Sequence, residues 1–241
     1  MFILGVIANR MRIQNIEFVG GYTEAYDGTT SDKTISLTSL TGGLDTQPSE
    51  GDIVVILYGV GGVSSTYGIV NLPTGYTSVI TQQVSDAYNS VSRIAYKFMG
   101  STPDISVIIP DGTGNTNFGG SISILVFRNV STTTVLDVAA LYTITNNVSR
   151  PNPPAITPIT EGAVILAGGC VGHSNSITHT FSSGDLTNFI SSDGYDNYDC
   201  ITGIGYKLWE GGVFDPTQFS CTLGDSSSES AIGYTIALRP K

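Results

Sequence analysis

Charged residues are scarce in this sequence, and basic residues are the scarcest. Only 12% of the 241 residues are charged, with 10 Lys and Arg against 20 Asp and Glu, which gives a formal net charge of −10. The basic residues are spread thinly, whereas binding to phosphates needs Lys and Arg in clusters. The composition therefore argues against nucleic acid and against an acidic membrane surface as partners.

Long apolar runs and helix-forming stretches are also missing. No run approaches the roughly 20 residues that a membrane-spanning helix needs, so we expect no membrane insertion. No stretch has the Ala, Leu, Glu and Lys content of a long helix. The 29 glycines, with abundant Ser, Thr, Val and Ile, favour strands joined by tight turns.

Apolar and alternating segments predict strands in two series. Ile53–Tyr58 is a short, continuous run rich in β-branched residues, which is typical of a buried strand. The first series is Ile53–Tyr58, Ser92–Phe98, Ile105–Ile109 and Ile122–Phe127. The second series is Ala163–Ala167, Ile201–Leu208, Gln218–Leu223 and Ile232–Leu238.

The two series follow an internal repeat of about 110 residues. The segment EGDIVVILYGVGG starts at Glu50 and matches EGAVILAGGCVGH, which starts at Glu161, so the offset is 161 − 50 = 111. Two further matches keep nearly the same spacing: Tyr96-Lys97 with Tyr206-Lys207, and Arg128 with Arg239. The matches predict two copies of one unit, at about residues 45–130 and 156–241.

The predicted fold is all-β. Neither unit has a helix to cover its sheet, so the two units are expected to share a core face to face, as a jelly-roll-like β-sandwich of two pseudo-repeated halves. Residues 131–155 would be the crossover, leading into the proline-bearing RPNPPAITP, although this segment could also link two separate domains. Residues 1–44 would supply an N-terminal arm and edge strands, one of them over Lys33–Leu40.

Few residues could carry chemistry. Cys170 and His173 have the spacing of zinc ligands, but no second pair supports a zinc site, so we expect these residues to pack and form loops. The three cysteines do not make a disulfide framework, and we expect buried, reduced thiols. Glu50 and Glu161 look like equivalent turn residues rather than a glycosidase pair. No nucleophile elbow, phosphate loop or dinucleotide fingerprint occurs, which predicts a non-enzymatic protein without cofactor or metal.

One loop, within SSDGYDNYDC, is a candidate ligand site. Its acidic residues, Asp193, Asp196 and Asp199, are three residues apart, which differs from the ligand spacing of a known calcium loop and favours a solvated turn. Tyr195 and Tyr198 could stack on the apolar face of a sugar ring. Glycan binding, with Tyr67 and Tyr76 as further candidates, is thus an alternative function, that of a carbohydrate-binding or adhesin module in host receptor recognition.

The order of short motifs over about residues 45–241 resembles a β-sandwich module of bacterial and tailed-phage proteins. These motifs are Pro48–Tyr58, Pro73–Thr77, Ile94–Phe98, Ile124–Val130, Arg150–Pro158 and Ala237–Pro240. The opening ILGVIAN is similar to the start of many tailed-phage virion proteins, with Asn9 in place of their usual small Ser. The resemblance implies a structural subunit of a bacteriophage particle, either a head decoration or a tail-associated protein, located in the virion after assembly in the host cytoplasm.

The apolar strip at the start of the chain is the candidate docking segment. Its apolar side chains belong to Phe2, Ile3, Leu4, Val6 and Ile7. Such a strip can add to the edge of another sheet, so we expect it to dock on neighbouring virion proteins, with homo-oligomers as the common state. The alternative is that the strip forms the first strand of the chain's own sandwich.

Overall fold

The computed structural model describes residues 14–26, 32–62, 71–86, 88–110, 119–173, 177–194, 199–223 and 229–241. Within these residues all regular secondary structure is β-strand. The strands in chain order are β1 (Glu17–Tyr26), β2 (Lys33–Ser36), β3 (Ile53–Gly61), β4 (Thr77–Val84), β5 (Ser90–Phe98), β6 (Ser106–Ile109), β7 (Gly120–Arg128), β8 (Leu141–Thr145), β9 (Val164–His173), β10 (Phe181–Ser182), β11 (Thr187–Asp193), β12 (Asp199–Leu208), β13 (Ser220–Cys221) and β14 (Ala231–Leu238).

Two five-stranded antiparallel sheets form the centre of the molecule. The first has the order β1-β7-β3-β5-β4, and the second, read from its β8 side, has the order β8-β14-β9-β12-β11. The two sheets pair equivalent residues, separated by the offset of the sequence repeat. Ile53 pairs with Phe127 in the first sheet, and Val164 pairs with Leu238 in the second, 111 residues further along the chain in both cases. This recurrence supports the predicted duplication.

Each large sheet is buried on both faces, which explains the continuous apolar runs. In β3, Ile53, Val55 and Leu57 enter the core between the two large sheets. The alternate residues Val54, Ile56 and Tyr58 enter a second core, which also contains Ile35 of β2 and Val107 of β6. On the far side of the second sheet, β10 and β13 contribute to a third core. The side-chain period of two therefore sends neighbouring residues into different cores.

The predicted all-β sandwich is confirmed, but its jelly-roll connectivity is not. All five strands of the first large sheet lie within residues 17–128, and all five of the second lie within residues 141–238. The chain therefore passes once between the two facing sheets, whereas a jelly roll distributes its strands over both. The predicted crossover, residues 131–155, also contains β8, a strand that pairs with β14.

The proline-bearing segment after β8 lies against the outer face of the second sheet. It passes over two paired glycines, Gly169 of β9 and Gly233 of β14. A Cβ atom at Gly169 would come within 2.3 Å of Pro151, and one at Gly233 within 2.6 Å of the backbone of Asn152. Glycine at these two positions makes the groove in which the segment lies.

In each half, the arginine at the end of the last strand forms an ion pair with a buried aspartate. In the first half Arg128 makes two hydrogen bonds to Asp52, at 2.8 and 3.0 Å. In the second half Arg239 Nε donates to Asp137 at 2.9 Å. The arginines are repeat equivalents but the acids are not, because Asp52 precedes β3 whereas Asp137 precedes β8.

Candidate functional site

A cluster of buried polar side chains lies at one end of the second sheet. His173 ends β9, Asp193 ends β11 and Asp199 begins β12. Antiparallel pairing brings these strand ends together, since His173 pairs with Asp199 and Asp193 with Ile201. His179, in the segment before β10, completes the group, and all four residues are buried. We call these four residues the histidine cluster.

Asp193 is the centre of this cluster. Its Oδ1 lies 2.8 Å from His173 Nε2, and its Oδ2 accepts a hydrogen bond of 2.6 Å from the backbone N–H of His179. The two imidazole rings meet edge to face, with centroids 5.2 Å apart. The solvated turn predicted at Asp193 and Asp199 is therefore wrong, because both residues are buried and both carboxylate oxygens of Asp193 are used inside the protein.

His179 is buried with only part of its hydrogen-bonding capacity used. Its Nδ1 lies 3.3 Å from Thr222 Oγ1, whereas its Nε2 has no hydrogen-bond partner among the described residues. Burial lowers the pKa of His179, and the charge of His173 lowers it further. This histidine is therefore held neutral more strongly than a free imidazole.

Among the described residues, the cluster presents neither an accessible His–Asp pair nor a metal site. The His173 and Asp193 side chains are fully enclosed. Among the residues that the structure describes, no three His, Cys, Asp or Glu side chains come together as a metal ion requires. The remaining members of the predicted ligand loop, Tyr195, Asp196 and Tyr198, lie outside the described residues, and glycan binding by that loop stays a prediction.

The equivalent place in the first half is a shallow pocket. Gly62 stands where the second half has His173, Gln83 where it has Asp193, and Asn89 where it has Asp199. This pocket has room for about one water molecule, so it is too small for a sugar ring. Of the other glycan candidates, Tyr76 is buried in the first-half core and Tyr67 lies outside the described residues.

A second pair of chemically active groups lies in the core between the large sheets. Cys170 Sγ of β9 is 3.0 Å from Cys200 Sγ of β12, and both residues are fully buried. Hydroxyl groups of Ser121, Ser123 and Thr202 lie nearby and bond to one another across the two sheets. The third cysteine, Cys221, lies on β13 and pairs with Phe181.

An exposed strand edge is the third candidate. The strand β8 is the last in the second sheet, and within the part of the chain that the structure describes it pairs with β14 alone. Three of its five residues are large, apolar and exposed: Leu141 at 38%, Tyr142 at 47% and Ile144 at 40%. We call the unpaired side of this strand, with these three residues, the β8 edge.

The β8 edge is the least protected of the four edges of the large sheets. The pairing of β1, of β4 and of β11 with its neighbour is interrupted by an irregularity, and β1 also carries Glu17 and Glu24. The pairing of β8 is regular, and its sequence LYTIT holds neither charge nor proline. Charges, prolines and bulges are the features that normally prevent pairing at an edge.

The sequence pattern does not predict this edge, because residues 131–155 are predicted to be a crossover between the two halves. The run of Leu, Tyr, Thr and Ile before Asn146-Asn147 is a strand-and-turn signal that could have revealed it. Asn147 does have a positive φ of 57°. The other predicted docking residues, Phe2, Ile3, Leu4, Val6 and Ile7, lie outside the described residues.

Comparison of the chain with protein-family models, with curated proteins and with solved structures finds no significant match. None of the described residues belongs to a helix with the length and hydropathy needed to cross a membrane.

Proposed function

We propose that this chain is a non-enzymatic structural subunit of a bacteriophage particle, a head decoration or tail-associated protein that docks on neighbouring virion proteins. The observation that carries the proposal is the β8 edge, a regular and uncharged strand edge with exposed apolar side chains. The sequence resemblance to tailed-phage proteins supplies the setting, and the β8 edge supplies a means of attachment.

Strand addition is the binding mode that suits the β8 edge. A strand placed beside β8 would use its unpaired backbone groups, and apolar side chains of the partner would cover Tyr142 and Ile144. These two residues lie two positions apart on one strand and therefore share a face. Thr143, on the opposite face, is already occupied by a hydrogen bond to the backbone oxygen of Asn152.

The rest of the fold suits a rigid building block. Both large sheets are covered on both faces, and the two halves share one continuous core. Polar groups inside this core are paired across the sheets, as in the hydrogen bond of 2.7 Å between Ser92 Oγ and Tyr234 Oη. Such a block presents its binding features on strand edges and loops, without needing to open.

The proposal is tested by co-sedimentation with virions that carry the genome encoding this chain. Tyr142→Lys and Ile144→Lys place a charge on the β8 edge, and Val213→Lys is the matched control, because Val213 is 70% exposed but lies outside every strand. We expect each edge variant to bind at least tenfold more weakly, which corresponds to about 1.4 kcal/mol, while the control binds normally. Equal binding by all four proteins would exclude the β8 edge.

A deletion of residues 2–12 separates the two predicted docking features. If this deletion abolishes sedimentation, the apolar strip holds the chain on the particle. If only the edge variants fail, the β8 edge carries the contact. A wild-type protein that never sediments with virions would overturn the proposed function itself.

A further inference from the structure

The two buried thiols of the second sheet lie close together. Cys170 pairs with Thr202, and Cys200 pairs with Gly172, so the two cysteines are diagonal neighbours on adjacent antiparallel strands. Their sulfur atoms are 3.0 Å apart and need to approach by only about 1 Å to reach the bonded distance of about 2.05 Å.

The first sheet leaves space for this pair. Gly59 of β3 faces both sulfur atoms, and a Cβ atom there would lie 2.8 Å from Cys200 Sγ and 3.1 Å from Cys170 Sγ. Any larger residue at this position would press on the thiols. With glycine, the sulfur atoms can move toward each other without displacing the facing sheet.

We infer that Cys170 and Cys200 form a disulfide that joins β9 to β12 when the chain folds in the presence of a small disulfide oxidant, such as oxidised glutathione. One cysteine thiolate attacks a sulfur atom of the oxidant, which gives a mixed disulfide and releases one glutathione thiolate. The second cysteine thiolate then attacks the protein sulfur of that mixed disulfide and releases the second glutathione. Two protein thiols are oxidised, and one oxidised glutathione is reduced to two thiols.

The bond is expected to form during folding and not in the finished protein. Both thiols are fully buried in the native structure, and burial raises the pKa of Cys200, so little thiolate is present there at neutral pH. An oxidant therefore reaches the pair only when the chain is open. Once closed, the bond would lie in the same enclosed site and resist reduction.

The third cysteine provides a sharp test of whether native geometry directs the pairing. In an unfolded chain Cys200 and Cys221 are the closer pair, since 221 − 200 = 21 whereas 200 − 170 = 30. Chain entropy alone therefore favours the bond between Cys200 and Cys221. The fold predicts the opposite result, because Cys221 lies on β13, away from the shared β9–β12 register.

The experiment is refolding of the full-length protein in a glutathione buffer, followed by alkylation, intact mass and disulfide mapping. We expect an intact mass that shows one alkyl group and the loss of two hydrogen atoms, a single bond between Cys170 and Cys200, and Cys221 as the alkylated residue. Cys221→Ser should keep the bond, while Cys170→Ser and Cys200→Ser should each lose it. The oxidised protein should melt about 5–10 °C above the reduced protein.

Two results would overturn the inference: three free thiols after refolding, or a bond that includes Cys221. Mapping of the wild-type protein decides between these outcomes even where a serine variant does not fold. The inference does not depend on the proposed function, because virion binding is not measured in this experiment.

Discussion

The carboxylate of Asp137 is expected to be one of the strongest single polar contributors to the stability of the second half. The Asp137 side chain is fully buried and accepts three hydrogen bonds, from the backbone N–H of Ile159 at 2.5 Å, from that of Thr160 at 3.0 Å and from Arg239 Nε at 2.9 Å. It thereby ties the segment before β9 to the end of β14. The test substitution is Asp137→Ala.

The magnitude follows from these three bonds. Hydrogen bonds to a charged group contribute about 1.5–3 kcal/mol each, and breaking a buried ion pair costs about 3–5 kcal/mol. Two of the three donors can reach water, since the Arg239 side chain is 29% exposed and Ile159 is exposed. Water can therefore replace part of the hydrogen bonding that these donors lose when the carboxylate is removed. We therefore expect Asp137→Ala to lower the free energy of unfolding by about 2–4 kcal/mol and Asp137→Asn by about 1–2 kcal/mol.

The assay is urea denaturation at pH 7, with Asp104→Ala as the matched control. Asp104 pairs with Lys97 at the surface, where such a pair contributes about 0–1 kcal/mol. The midpoint for Asp137→Ala should fall with an unchanged slope, while that of the control should stay close to wild type. Equal, small losses in the two variants would refute the assigned role of Asp137.

The pH dependence gives a second check on the same residue. Burial raises the pKa of Asp137, but hydrogen bonds from Thr160, Ile159 and Arg239 outweigh it, and the net pKa is lowered. The unfolded carboxyl has a pKa of about 3.9, so the stabilisation is fully present above that pH and is lost as the pH falls through the folded value. The difference between wild type and Asp137→Asn should therefore shrink below about pH 4. A difference that stays constant down to pH 3 would contradict this explanation.

Three further outcomes are expected. The pKa of His179 is lowered by burial, so the free energy of unfolding should fall as the pH drops below about 6.5. Urea titrations at several pH values should show a weaker pH dependence of this free energy for His179→Gln than for wild type. An unchanged pH dependence would contradict the assigned role of His179. Gly169→Ala should lower the melting temperature markedly, because its Cβ would meet Pro151, whereas Gly100→Ala, with open space around it, should not. Leu166→Ala should cost about 2–5 kcal/mol in denaturation experiments, while Leu44→Ala, at a residue 63% exposed, should cost less than about 0.5 kcal/mol.

The sequence predicts the central strands of this fold well, because they combine continuous apolar runs with the repeat. The run Ile53–Tyr58 lies within β3, and its equivalent lies within β9. The strands β4, β8, β10 and β11 are not predicted. In the edge strands β4 and β11, half-exposed Ser, Thr, Gln and Asn interrupt the apolar pattern on which the prediction depends. The strand β10 has only two residues, and β8 keeps its apolar residues but lies in a segment that is predicted to be a crossover.

The histidine cluster could not be predicted from local sequence. Asp193 reads as a polar turn residue, since it is followed by Gly194 and has Asp196 nearby. Its burial arises from the pairing of β11 with β12 and from the return of the chain at His179. The contact between Cys170 and Cys200 likewise depends on the register between β9 and β12, which hydrophobic periodicity alone does not set.

The most direct test of the proposed function is quantitative mass spectrometry of virions purified through successive density gradients. If the chain is a structural subunit, its peptides should remain at a constant ratio to the other particle proteins in every gradient. Loss of those peptides into the soluble fraction at the first gradient would contradict the claim that this protein is part of the particle.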